Sequence, residues 1–277
     1  MKLRARPSHK AAIEYTRRSS GQYARQLRRI ANHIGDLAKS VDPNDPASIA
    51  MFDDLMARYS RTLEPWAQRE AQRIALEINM RDTKHWFNYA RQMGSALRQQ
   101  IENAPIGNLL MDIRRRQVDL ITSLPTRAAE RINQIATGAI YSGLRPEALA
   151  KEVHKQGEVS RAIANTIART EISTATTEFT KIRSQSIGSE GYIWRTVGDA
   201  RVRDTHQHME GKFIRWDDPP MPDGPKNGRY HAGCIYNCRC IPEPVLPDEE
   251  FFRREARDKA WFVRSSNSKG HLARGKR

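Results

Sequence analysis

Cysteine is scarce in this 277-residue chain, aromatic residues make up only 7% of it, and no long apolar run occurs anywhere. Three cysteines is an odd number, too few for a disulfide framework. The longest apolar stretches fall well short of the ~20 residues that a bilayer span needs. With 38% hydrophobic residues and a mean hydropathy of −0.74, no membrane association is expected. The basic start Met1-Lys2-Leu3-Arg4-Ala5-Arg6-Pro7 has no apolar segment after it, so it does not read as a secretory signal. Synthesis in a cytoplasm, where thiols stay reduced, is the expectation. The chain also has no Walker A loop, HExxH, GxSxG or dinucleotide fingerprint. Those absences point away from the commonest enzyme classes.

What is present is charge. The formal net charge is +15, and residues 1–128 carry 22 Lys/Arg against 13 Asp/Glu. Residues 199–240 are nearly neutral, with 7 against 6. The last stretch, Arg264 to Arg277, holds five Lys/Arg and no acid, and a mobile basic tail is expected there. An excess of this size suggests a polyanion partner, most simply nucleic acid. Ordinary solvated helix faces explain the same charge without a partner.

The spacing of apolar residues predicts a mainly α fold. An elongated N-terminal helical region (residues 1–128) is expected first. A second region (129–246) carries a small α+β module at 191–240, and a helix near 248–263 with the basic tail (247–277) ends the chain. Residues 10–39 read as helix, and Asp42-Pro43-Asn44-Asp45-Pro46 as a turn. A long helical pattern then places Leu63, Ala67, Ile74 and Ile78 on one face. Pro65 is expected in the first turn of a helix or at a kink. Further helices are expected near 107–122, 126–141 and 146–156. Ser160 reads as the N-cap of a helix running to about Ile187, striped by Ala168, Ile172, Ala175, Phe179 and Ile182. From Gly191 the texture changes to a β-like piece at Tyr192-Ile193-Trp194 and a Pro/Gly-rich loop from Asp218 to Pro225.

All three cysteines fall within seven residues, in Tyr230-His231-Ala232-Gly233-Cys234-Ile235-Tyr236-Asn237-Cys238-Arg239-Cys240, and His206 and His208 lie upstream. Thiols and imidazoles gathered in this way suit a tetrahedral zinc site. Four ligands within His231-x2-Cys234-x3-Cys238-x-Cys240 would be cramped. Cys238 and Cys240 closed by His206 and His231 make a better tetrahedron, with a structural Zn2+ supplying folding energy that a small core lacks. The alternatives are reduced cysteines packed as small apolar side chains, or a Cys238–Cys240 or Cys234–Cys238 disulfide formed after release from the cell.

Asp199-x-Arg201-x-Arg203-x2-His206 admits a hydrolytic reading, with a metal-activated water attacking a phosphodiester. The plainer reading has Asp199 capping a helix, Arg201 and Arg203 in salt bridges, and His206 as ligand or core histidine. Residues 143–170 admit a helix-turn-helix, although a connection from His154 to Val159 is long for one, and a helical hairpin is the simpler expectation. The basic clusters Arg28-Arg29 and Arg114-Arg115-Arg116 read as DNA-phosphate contacts or as solvated faces.

Residues from about 143 to 246 resemble the phage head-morphogenesis family, the minor capsid proteins of the phage Mu F type. The resemblance runs through Ala168-Arg169-Thr170-Glu171, then Trp194 with Asp199-x-Arg201-Val202-Arg203-x2-His206, then Gly211 with Lys212-Phe213. It closes on Asn237-Cys238-Arg239-Cys240 and Pro242-x-Pro244-Val245-Leu246. It implies a low-copy virion protein with no enzymatic step, made in the host cytoplasm and built into the head near the portal. It also implies a role in prohead assembly and in DNA packaging or delivery. The implied partners are the portal protein, the major capsid or scaffolding protein, and double-stranded DNA bound without sequence preference. His206, Cys238 and Cys240 fall on the family's signature positions, whereas Cys234 and His208 are additions of this chain. The competing function is a zinc-dependent nuclease or toxin-like effector carried in the virion.

Overall fold

The computed structural model describes residues 9–90, 99, 101–142 and 145–245. Five helices lead among the described residues: α1 (His9–Ala38), α2 (Pro46–Ala90), α3 (Gly107–Ser142), α4 (Pro146–His154) and α5 (Gln156–Ser186). A small module follows, with β1 (Gly191–Arg195), the one-turn α6 (Asp204–Gln207), β2 (Phe213–Arg215), a 3-10 turn at Pro225–Asn227 and β3 (Ile241–Val245). This is the expected mainly α architecture with a small α+β module. The predicted helix near 248–263 and the basic tail lie outside the described residues.

The turn ahead of α2 forms as its residues dictate. The Asp42 carboxylate accepts the Asn44 N–H, and the Asp45 carboxylate accepts those of Ala47 and Ser48. Asp45 is thus the N-cap and Pro46 the first helical residue, where a missing N–H costs nothing. Along α1, Tyr23, Leu27, Ile30, Ile34 and Ala38 recur every three or four residues, and all are buried. They pack with Phe52, Met56, Ile74 and Ile78 of α2, Ile113, Ile121 and Ile132 of α3, and Ala168, Ile172 and Phe179 of α5 in one continuous core. Each such large side chain stabilises the fold by about 1.5–3 kcal/mol relative to exposure.

Several local expectations are corrected. Pro65 lies within α2 rather than in its first turn, and Pro125 lies inside α3, so the two helices expected at 107–122 and 126–141 are one. An interior proline costs about 3 kcal/mol. Ile121 and Leu124 before Pro125, and Ala128, Ala129 and Ile132 after it, are all buried, and their packing outweighs that loss. This helix also runs straight through the division expected at 128/129. Ser160 is a buried residue within α5 rather than its cap, and only Lys155, in helical conformation, separates α4 from α5. The six-residue connection of a helix-turn-helix does not exist.

Helix α5 forms the spine of the molecule. It crosses α1 at Gly35 and Gly157, where a Cβ on Gly35 would stand 2.6 Å from the Gly157 Cα. Only hydrogen side chains allow that approach. Buried charge is matched along its length. The Tyr23 hydroxyl donates to Gln117 Oε1 (2.6 Å), and Gln117 Nε2 and Arg116 Nε each donate to Glu171 (2.8 Å). Farther along, Arg183 is fully buried and donates to Asp82, to Asn79 (2.5 Å) and to Thr83 (2.7 Å). Burial pushes the Asp82 carboxyl up to about 6 against the pull of Arg183.

In the module, β1 is central and pairs antiparallel with β2 on one side and β3 on the other. Pro242 and Pro244 sit in β3, an edge strand, where a proline interrupts little. Alternation along β1 sends Tyr192 and Trp194 to the buried face, where they pack with Trp216, Tyr230, Ala232, Cys238 and Cys240 in a second core.

Candidate metal centre

Strand pairing brings the ligand types together. Arg195, at the end of β1, pairs with Ile241, the first residue of β3, so Cys240 emerges beside the end of β1. The chain leaving β1 forms α6 and returns through Gly211, whose φ of +77° suits only glycine at low cost. The Gly211 N–H donates to the Trp194 carbonyl, and the Trp194 N–H to that of Lys212 (both 2.9 Å). His206, on α6, is thereby carried over Trp194, ring edge to ring face, with centroids 5.5 Å apart. The cysteine loop is pinned to α5 from the other side. Gly233 has a φ of +85°, and a Cβ there would meet Ser173, Thr177 and the Cys240 carbonyl at 2.8–3.0 Å. Asn237, also left-handed at +56°, is anchored by its N–H to Thr170 (3.1 Å) and by its Oδ1, which accepts from Arg169 (2.8 Å).

The result is a compact set of three donors, His206, Cys238 and Cys240, each 3% exposed or less. All their ligand atoms lie within 4.8 Å of one another. His206 Nδ1 stands 3.5 Å from each sulfur. Zinc bond lengths of about 2.3 Å to sulfur and 2.0–2.1 Å to nitrogen, at tetrahedral angles, give an N···S edge of about 3.5 Å. The two N···S edges of the cluster therefore match those of a zinc tetrahedron. The outward face of the imidazole is held as well: Nε2 lies 3.1 Å from the Tyr230 hydroxyl and 3.3 Å from Asp223 Oδ2. A carboxylate behind a ligating histidine fixes its tautomer and raises its basicity. The Cys240 backbone N–H points at the Cys238 sulfur (3.4 Å).

The protonation of the cluster suits a cation. The hydrogen bond from the Cys240 thiol holds Cys238 down to about 5 against burial, with help from His206. Cys240 is pushed up in turn by that adjacent sulfur and by burial. The pair thus gives up one proton easily, and a bound dication removes the second. Burial disfavours a charged His206, but its hydrogen bond with Cys238 and the charges of Cys238 and Asp223 outweigh this and raise its pKa.

His231 does not join the cluster, which corrects the fourth ligand expected from the sequence. Its Nε2 faces the Lys181 ammonium and its Nδ1 the Tyr192 hydroxyl, each at 3.3 Å. Burial, with Lys181, lowers it to about 4. Cys234 stands apart too, its thiol pushed up to about 12 by burial, and all three cysteines are free thiols. His206, Cys238 and Cys240 line a pocket of about 160 Å³ together with Arg201, Arg203, Asn237 and Arg239 among others. Its lining, among the described residues, contains no carboxylate and no imidazole besides His206.

Several of the remaining sequence-predicted residues have structural partners. Asp199 caps no helix; it accepts the Arg201 N–H and takes both arms of the Arg239 guanidinium at 2.5 and 2.6 Å, and Arg239 holds its carboxyl well below the usual range. Arg203 donates to the Tyr236 carbonyl (2.9 Å) and stacks on its ring. Of the basic clusters, Arg29, Arg114 and Arg115 are exposed, and Arg28 donates to Asn165 (2.9 Å). Arg116 is drawn inward to Glu171 and Glu178, so its charge is matched within the fold. Asp223 and Tyr230 were not legible in the sequence. Asp223 sits in a Pro/Gly loop 17 residues beyond His206, with no spacing that marks it.

Residues 130–242 match the family described as Phage Mu protein F like protein. A Haemophilus influenzae protein, itself described as an uncharacterized protein, is 26% identical over 164 residues, 59% of this chain. That match covers 35% of the relative's own length. No solved structure matches the chain. Helix α5, strands β1 and β2 and the His206–Cys238–Cys240 cluster thus lie within the segment that is similar to the Phage Mu protein F like family.

Proposed function

We propose that this chain is a structural minor head protein of a tailed phage, acting in prohead assembly near the portal and in DNA packaging or delivery. The reading rests on the match of residues 130–242 to the Phage Mu protein F like family. In it, the protein is made in the host cytoplasm and ends in the virion. It contacts the portal and the major capsid or scaffolding protein, and its basic surface lies against double-stranded DNA. Counterion release makes that last contact non-specific and steeply salt-dependent.

His206, Cys238 and Cys240 would hold a structural Zn2+. Such an ion would tie α6, the cysteine loop and the start of β3 together, which a three-stranded sheet with a small core does poorly alone. Asp223 and Tyr230 orient His206. Localisation of the protein in assembled heads by electron microscopy tests the assignment. Density at the portal vertex supports it, and heads that assemble and fill normally without the protein contradict it.

The open fourth corner favours one competing reading, a zinc-dependent nuclease or toxin-like effector, because catalytic zinc keeps such a position. The pocket argues against it. Apart from the three ligands themselves it offers no group to take a proton, and Asp199 is committed to Arg239. Cleavage of DNA or RNA by the zinc-loaded protein would revive the nuclease.

A further inference from the structure

Beside the metal pocket, a larger one of about 540 Å³ opens between α1, α5 and the cysteine loop. Five arginines line it: Arg17, Arg28, Arg169, Arg201 and Arg239. Its lining includes no carboxylate. The shape follows from spacing. Arg17, Gly21, Ala24 and Arg28 share one face of α1, the small residues making room between the two guanidinium groups. Asn165 and Arg169, one turn apart, face them from α5.

The charge here is not balanced by the fold. Arg17 pairs with Glu14, and Arg201 and Arg239 share Asp199. Arg28 and Arg169 donate only to neutral amide oxygens, those of Asn165 (2.9 Å) and Asn237 (2.8 Å). Among the described residues neither has a carboxylate partner. Five guanidinium groups therefore face two carboxylates. An amide contact aims a guanidinium without cancelling its charge, and leaves most of its N–H fork for a ligand. That fork matches the oxygens of a phosphate.

We propose that this pocket is a phosphate-binding seat that takes the phosphodiester backbone of nucleic acid. It rests on the DNA contact proposed above and moves that contact from Arg114 and Arg115 to the groove between α1 and α5. The charges come from four segments, α1, α5, the loop between β1 and α6, and the cysteine loop, a spread that suits an extended chain of phosphates. The shared residues Arg201, Asn237 and Arg239 form the wall between this seat and the metal pocket, so the cysteine loop shapes both.

The test compares R28Q/R169Q with R114Q/R115Q in the full chain, two charges removed from each. Binding to a short random-sequence duplex is read by fluorescence anisotropy across a salt series. R169Q alone, an exposed substitution, guards against misfolding, and melting curves check all variants. R28Q/R169Q weakens binding about tenfold or more and flattens the log–log salt dependence by about 2, and R169Q by about 1. R114Q/R115Q changes both little. A second arm uses inorganic phosphate alone. Displacement of the duplex only at salt-equivalent concentrations marks nucleic acid as the ligand. A phosphate-induced rise in melting temperature that R28Q/R169Q abolishes marks a small phosphate instead and overturns the proposal. Equal losses in both double variants, or a larger loss in R114Q/R115Q, overturn the seat while leaving DNA contact standing. Failure of the wild-type protein to bind duplex overturns both.

Discussion

Asp223 stands behind His206, its Oδ2 3.3 Å from the Nε2 that faces away from the two thiols. The carboxylate, the imidazole and the paired sulfurs form a line from loop to strand. Asp223 is also fixed by the Thr205 hydroxyl, one residue before His206, so the carboxylate and the imidazole it serves move together. Removing that support weakens the centre without touching a ligand. D223N is expected to lower zinc affinity about 10–100-fold, the usual cost of losing such a partner. Competition with a chromophoric chelator measures it, and unchanged affinity would show that Asp223 does not orient the ring.

Metal removal is expected to loosen the module while the helical core stays folded. Zinc at about 100 times its dissociation constant stabilises by about 2.7 kcal/mol, which for a unit as small as the module corresponds to a shift of about 10–20 °C. Chelation should lower the melting transition by that amount in near-ultraviolet circular dichroism, where Trp194 and Trp216 report on the module. C238S/C240S should melt at the chelated temperature and ignore added zinc.

Gly233 carries the contact between the cysteine loop and α5. Alanine there faces a left-handed backbone and three atoms at 2.8–3.0 Å, Ser173 Oγ, the Cys240 carbonyl oxygen and Thr177 Oγ1. G233A should cost about 1–3 kcal/mol in chemical denaturation. Gly21, with nothing within 4 Å of an added Cβ, is the matched control; G21A in the middle of α1 should be neutral or slightly stabilising.

His231 gives the fold an acid-sensitive joint. Its folded pKa, about 4, lies below the ordinary histidine value of 6.5, so between those values the unfolded chain binds more protons. Its contribution is therefore intact above pH 6.5 and is lost as the pH falls toward 4. Asp82, raised to about 6 by burial, acts in the opposite sense over much of the same range. The difference between wild type and H231Q isolates the histidine. H231Q should lose less stability than wild type between pH 6.5 and 4.5, and parallel curves would assign the acid response elsewhere.

Much of this fold was legible because burial follows period. The stripes at Leu63, Ala67, Ile74 and Ile78 and at Ala168, Ile172, Ala175 and Phe179 are core, with Ile182 at the end of the second half-buried. The prolines misled for a physical reason. A local rule breaks a helix at Pro125, but Ile121 and Leu124 before it and Ala128 after it bury against neighbours that no local rule sees. Ser160 misled likewise, its capping chemistry being real but unused inside α5. At the site, Cys238 and Cys240 declared themselves by proximity, and His206 by its place in the motif. His231 was drawn in by a comfortable spacing to Cys234. Sequence distance carries no information on which way a ring turns, and Lys181 and Tyr192 hold this one elsewhere.

The central claim is that two thiols and one imidazole close the carboxy-terminal module around a metal ion. Elemental analysis of the reduced, purified protein tests it most directly. One zinc per chain, lost in C238S/C240S and retained in H231Q, is the predicted result. No metal in the wild-type protein after zinc loading under reducing conditions, or undiminished zinc in C238S/C240S, would contradict it.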